Sequence, residues 1–161
     1  MGDEWVRAKY YGRAHTGGDA VITFERANVA HMGDLMINRR VPAIDRINGA
    51  IVATGITVIE KAAADYANDT TYIFGHTGTS LPVTGTRADL MVFRDYLTAL
   101  LNHTRAAIKA GQSKEQFTAT TPTLAGFKAL GAHTARTLGI VFGEMAEAKS
   151  GNWKQTSGVF F

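Results

Sequence analysis

Along residues 4–47 apolar and polar positions alternate with the two-residue period of strands. Val6, Ala8 and Tyr10 alternate with Arg7 and Lys9, and Gly17-Gly18 marks a turn. Residues 20–24 and 27–31 read as two strands joined by a polar turn at Glu25-Arg26, with Gly33 breaking the second run and Asp34 at its end. The period then changes. Val52, Ile56, Ile59, Ala63 and Tyr66 recur at steps of four and three, which places them on one face of a helix over 49–67, with Thr54, Thr57, Lys61 and Asp65 opposite. Gly55 inside this helix costs about 1 kcal/mol relative to Ala. Residues 71–74 form a short strand of buried type, ending in a loop at Gly75-His76-Thr77-Gly78. From Thr86 the chain is helical: Leu90, Phe93, Leu97, Leu100, Leu101 and Ile108 make one apolar stripe that ends at Gly111. Ser113 with Gln116 three residues on has the form of a capping box. A last helix falls near 134–148, with Leu138, Val141, Phe142 and Met145 inward. Residues 151–161 have no helical pattern, and their Trp153, Phe160 and Phe161 require cover or a partner. The pattern divides the chain into one α/β domain over 1–150 and a tail over 151–161.

Composition narrows the class. With 161 residues and 45% apolar content the chain can bury one core. It holds no Cys, which excludes disulfides, thiolate zinc sites, Fe–S clusters and a Cys nucleophile. Any metal must therefore sit on His, Asp and Glu. The formal net charge is +3, and it is uneven: residues 1–84 hold 8 basic and 9 acidic residues, residues 85–161 hold 9 and 5. No block of like charge signals a nucleic-acid arm, and no apolar run reaches the ~18 residues of a membrane span, so neither nucleic acid nor membrane is expected as a partner. The mixed-charge start has no signal-peptide pattern, which makes the cytoplasm the expected location. No phosphate-binding Gly-rich loop ending in Lys-Ser/Thr and no Gly-x-Ser-x-Gly elbow occurs.

Three residues stand beside Gly at or between the expected strands. His15 lies in Ala14-His-Thr-Gly-Gly-Asp19, Asp34 in His31-Met-Gly-Asp-Leu35, and His76 in Phe74-Gly-His-Thr-Gly78. Gly-flanked strand ends let the backbone turn sharply and present a side chain at a sheet edge. Imidazole and carboxylate are the usual ligands of zinc or iron where thiolates are absent. Spacing alone favours a hydrogen-bonding role in a loop over a ligand role for each His.

Taken together, Ala14-His15-Thr16-Gly17-Gly18-Asp19, the hairpin into Gly33-Asp34, Asp45, and Gly75-His76-Thr77-Gly78 resemble the metallo-β-lactamase superfamily, over about Tyr10 to Arg105. The match is to its zinc metallohydrolase-like branch. The resemblance implies that His15 binds a first metal, Asp34 bridges two metals and His76 binds the second. It implies an αββα sandwich of two related halves, hydrolysing an ester, thioester or amide with a hydroxide held between the metals. The words present correspond to the later half of that fold. The family's earlier word, His-x-His-x-Asp-His, has no counterpart, because no His-x-His occurs and 14 residues precede His15. The expectation is thus half of a sandwich: a short mixed sheet with helices on one face, and half of a metal site holding one or two zinc ions weakly. The other sheet face would be bare, with Val21, Ile22, Phe24, Val29, Ile73 and Phe74 as its apolar candidates. A second copy of the chain is the simplest cover, giving a homodimer, and a separate chain carrying the missing half is the other. The other expectation is a non-catalytic, dimeric binding or structural protein in which the half-site is unused or binds metal weakly.

Several other residues have two readings. Asp19 either closes the turn after Gly17-Gly18 or hydrogen-bonds the His15 ring. Asp45 either stands near the site, as the resemblance implies, or forms a turn. His31, three before Asp34 on a strand, points to the opposite side and reads as a core or interface histidine. Arg39-Arg40 offers a site for an anionic substrate or a solvated pair. His103 and His133 fall on or beside helices as surface or packing residues.

Overall fold

The computed structural model describes residues 2–78, 80–120 and 122–149; the 151–161 tail lies outside them. Five strands make one mixed sheet in chain order: β1 (Val6–Lys9), β2 (Val21–Phe24), β3 (Val29–Asn38), β4 (Thr71–Thr77) and β5 (Thr84–Gly85). β1, β2 and β3 run antiparallel, β3 and β4 parallel, and β4 and β5 antiparallel. A parallel pair needs a crossover, and α1 (Val52–Asp65) supplies it between β3 and β4. After β5 come α2 (Arg87–Lys109), α3 (Lys114–Thr118) and α4 (Ala135–Lys149), with a 3-10 turn at Lys128–Leu130. Among the described residues no helix is long and apolar enough to cross a membrane.

The helices lie on one face of the sheet. α1 and α2 pack against each other and against β3, and α4 packs on α2 and α3. Val21, Ala30, Met32, Tyr72 and Phe74 point to this side and are almost completely buried. Strand alternation sends their neighbours Ile22, Phe24, Val29, His31 and Ile73 to the opposite side, where each is half-buried. Cross-strand partners line up there: Ile22 opposes His31, which opposes Ile73, and Phe24 opposes Val29. This corrects two members of the expected bare face. Val21 and Phe74 belong to the core, since a strand that is apolar at successive positions cannot put both on one side.

Local chemistry fixes the helices. α1 buries Val52, Gly55, Val58, Ile59, Ala62 and Ala63, while Thr54, Thr57, Lys61 and Asp65 face solvent. α2 begins at Thr86, whose backbone N–H donates to the Asp89 carboxylate at 2.9 Å, a capping box. α3 is capped reciprocally: Gln116 N–H donates to Ser113 Oγ at 3.2 Å and Ser113 N–H donates to Gln116 Oε1 at 2.8 Å. Leu138 and Val141 of α4 are fully buried, and Phe142 and Met145 partly so. Full burial of each such aliphatic side chain contributes about 1.5–3 kcal/mol. His133 is buried, between the Tyr96 hydroxyl (2.8 Å from Nε2) and the Pro122 carbonyl (2.7 Å from Nδ1). His103 lies against the Phe117 ring.

Two elements differ from the sequence reading. β3 does not stop at Gly33. It runs on to Asn38 through an irregularity in its pairing with β4, where Gly33 adopts φ +53°. Glycine takes this left-handed conformation without steric cost, so the residue that looks like a strand breaker is a bulge within the strand. Asp34 therefore sits inside β3. β4 likewise continues past Phe74, and His76 pairs with Ile37 in the ladder rather than standing on a loop.

Candidate metal centre

His15 comes from the long connection between β1 and β2. That connection is tied to the segment leading into α1: Gly17 N–H donates to the Asn48 carbonyl at 2.8 Å, Ile51 N–H to the Ala14 carbonyl at 2.8 Å, and Arg13 Nε–H to the Gly49 carbonyl at 3.1 Å. Asp34 comes from the bulge in β3 and His76 from the adjacent β4. The three side chains, far apart in sequence, meet at one end of the β3–β4 pair.

Their arrangement centres on the Asp34 carboxylate. Its Oδ2 lies 3.6 Å from His15 Nε2, and its Oδ1 lies 3.4 Å from His76 Nε2. Each oxygen thus faces a different imidazole. Both separations exceed the range of about 2.7–3.2 Å for a hydrogen bond to nitrogen, and the Asp34 carboxylate makes no hydrogen bond among the described residues. Two donors bound to one tetrahedral zinc at about 2.0–2.1 Å stand about 3.4 Å apart. The spacings match the edge of such a tetrahedron. His15 is the sheltered member, its side chain 18% exposed, against 57% for His76. The number of donors is smaller than an ion needs: among the described residues no group of three or more His, Asp or Glu side chains is placed to hold one metal.

Backbone space makes the arrangement achievable. A Cβ built on Gly75 would lie 2.1 Å from Asp34 Oδ1 and 2.6 Å from the carbonyl carbon and oxygen of Gly33. Only glycine leaves room for Asp34 to reach across β4 towards His76.

Asp19 and Asp45 do not hydrogen-bond either imidazole. Asp19 accepts from the Thr16 N–H at 2.6 Å and from the Thr16 hydroxyl at 2.9 Å, closing the turn that follows His15. Asp45 accepts from Asn48 Nδ2 at 2.6 Å and from Asn48 N–H at 3.2 Å. The Asn48 side chain, and then its backbone, hold the Asp45 carboxyl below the usual carboxylate range. His31 uses Nδ1 to accept from Gly33 N–H at 3.1 Å, bracing the bulge before Asp34.

One residue that anchors the start of α1 gave no sequence signal. α1 has no side-chain cap of its own at Ile51. Glu144 of α4, buried, accepts from Val52 N–H at 3.0 Å and from Ala53 N–H at 2.9 Å. Arg46 stands beside it, 3.6 Å from Glu144 Oε2 and 2.8 Å from Glu147 Oε2. The carboxylate satisfies two free N–H groups of the helix start and lies at the positive end of its dipole. In front of the imidazoles a cleft of about 820 Å³ opens, lined by His15, His76 and Asp45 among others.

Comparison with solved structures places this fold. A metallo-β-lactamase from Pontibacter korlensis matches over 61% of this chain and 43% of its own, with 15% identity and a TM-score of 0.51. The metallo-β-lactamase IND-7 matches over 61% and 43%, with 23% identity and a TM-score of 0.49. No protein-family model matches the sequence, and no curated protein does. The first of these likenesses shows the fold, which is that of part of a metallo-β-lactamase. The chain spans less than half the length of the metallo-β-lactamases it matches.

Proposed function

We propose that this chain carries the later half of a dinuclear metal site on a metallo-β-lactamase-like half-fold, and that it is incomplete as a hydrolase until a second chain adds ligands. The single observation that carries the reading is the position of Asp34 between His15 and His76, one carboxylate oxygen to each Nε2 at 3.6 and 3.4 Å. The donor types and spacing suit zinc. The donor count does not, because each position has one imidazole and one carboxylate oxygen where zinc ordinarily takes three or four ligands. No hydrolytic step is therefore assigned to this chain by itself. A completed zinc pair would supply a Lewis acid and a bound hydroxide.

The completing chain in this proposal is a second copy docked over the bare sheet face of Ile22, Phe24, Val29 and Ile73. A separate polypeptide carrying the other half is the alternative partner. The cleft in front of His15 and His76 favours a completed hydrolase acting on an ester, thioester or amide. The short donor count favours a non-catalytic dimer.

The test is zinc titration of the chelator-stripped chain against a chromophoric competitor, with molecular mass measured on the same samples. The expected pattern is specific. His15→Ala and His76→Ala each abolish one of two sites, while Asp34→Ala abolishes both. An Asp34→Ala chain that binds as much zinc as the parent overturns the proposal.

A further inference from the structure

We propose that the cleft beside His15 and His76 binds a small amphipathic oxyanion, an apolar chain ending in a carboxylate or phosphate, whose charged end is held by Arg40 and Arg136. The inference deepens the preceding reading by naming a ligand class. It rests on that reading only for what becomes of the ligand once bound.

The volume, about 820 Å³, is that of a small-molecule site. The lining combines two cations with an apolar wall. Arg40 follows β3 and Arg136 lies in the first turn of α4, so the charges reach the cleft from separate parts of the chain. Neither makes an ion pair or hydrogen bond among the described residues, and both are exposed. Neighbouring Arg39 behaves differently, standing 3.9 Å from Asp89 Oδ1. The acid in the lining, Asp45, is committed to Asn48. Arg136 also occupies a place that folding alone would disfavour. A cation in the first turn opposes the helix dipole, and α4 has no acidic residue in that turn to offset it. Both arginines line the cleft, and their planar donors suit carboxylate and phosphate alike.

The apolar part of the ligand has its own surface. Ile47 is 95% exposed at the cleft, the most exposed large apolar side chain among the described residues. Val41, Leu130 and Ile140 line the same cleft and are half-buried. A ligand chain lying along them would cover Ile47, which the fold leaves open to water.

The test is calorimetric titration of the full chain with octanoate, octyl phosphate and octanol, after chelator treatment so that metal binding plays no part. Octanoate or octyl phosphate should bind at least tenfold more tightly than octanol, and the tighter of the two identifies the source of the oxyanion. Arg40→Gln and Arg136→Gln should each weaken that binding fivefold or more, Ile47→Ser should weaken it several-fold, and Arg39→Gln should leave it within twofold. The substituted side chains are exposed, and near-ultraviolet circular dichroism reports whether each variant keeps its fold. Binding of neither anion at millimolar concentration overturns the proposal. So does equal binding of octanol, or Arg40→Gln and Arg136→Gln chains that bind within twofold of the parent. Because no metal is present, a chain that fails the zinc titration can still pass this one, and the reverse.

Discussion

Gly75 and Asp34 share one volume: a Cβ on the glycine would fall 2.1 Å from the carboxylate Oδ1, on a strand whose next residue is His76. The same Cβ would meet the Gly33 carbonyl at 2.6 Å, and backbone cannot swing aside as a side-chain end can. Gly75→Ala should therefore push Asp34 away from His76 and open the β3–β4 pair, costing about 1–3 kcal/mol as overpacking does. Urea denaturation measures the loss, and zinc titration should show the His76 site weakened more than tenfold. Gly18→Ala is the control. That glycine stands in the same word as His15, but nothing lies within 4 Å of its Cβ position and its φ is not positive, so stability and zinc binding should stay near the parent's.

The pair also shows what the sequence makes legible. The words around His15, Asp34 and His76 identify three polar side chains beside glycines, and the fold brings those three together. What they do not reveal is why the glycines are there. Gly33 reads as a strand end because apolar alternation stops at it, yet the ladder continues to Asn38 around a bulge set by positive φ. Residues 21–24 and 71–74 are apolar at adjacent positions, so alternation alone gives no parity. Only the packing of α1 and α2 decides that Val21 and Phe74 go inward while Ile22 and Ile73 go outward.

Glu144 was beyond reach of any local pattern, since it caps a helix start 92 residues away from it. Glu144→Ala would leave the Val52 N–H without its acceptor in a buried place and the Ala53 N–H without its acceptor in a partly buried one. Hydrogen bonds to a charged group contribute about 1.5–3 kcal/mol, and a destabilisation of about 2–3 kcal/mol is expected in urea. Glu144→Gln keeps a carbonyl oxygen at the same reach and should recover part of it. Because Ile51 N–H holds the Ala14 carbonyl at 2.8 Å, a frayed α1 start should also loosen His15. Zinc binding at the His15 site should fall in Glu144→Ala more than at the His76 site.

Gly55 offers the opposite sign. It is buried in α1 with an ordinary helical backbone, and a Cβ there would meet Ala14 Cβ at 3.7 Å and Leu97 Cδ1 at 3.9 Å, normal van der Waals distances. Gly55→Ala should raise stability by about 1 kcal/mol, the difference between the two residues in a helix interior. Thermal unfolding checks the gain. A loss instead would mean that Ala14 cannot accept even this contact.

The last prediction concerns acid. Asp65 at the end of α1 is paired with Lys9 and accepts from the Tyr11 hydroxyl at 2.8 Å. The Lys9 hydrogen bond first, and the Tyr11 hydrogen bond second, lower its pKa from the ordinary carboxylate value. A carboxyl with a depressed folded-state pKa binds fewer protons in the folded chain than in the unfolded one. Its contribution is complete above the unfolded pKa, about 3.9 for Asp, and is lost as pH falls through the lower folded value. The side chain is 38% exposed, so solvent screening holds the contribution to about 1 kcal/mol or less. Asp65→Asn should be less stable than the parent at pH 7, by an amount that is unchanged down to about pH 5 and vanishes on further acidification. Urea midpoints of both chains from pH 7 to pH 2 measure this difference. A gap that persists undiminished at pH 2 would show that Asp65 acts through its shape and hydrogen bonding rather than its charge.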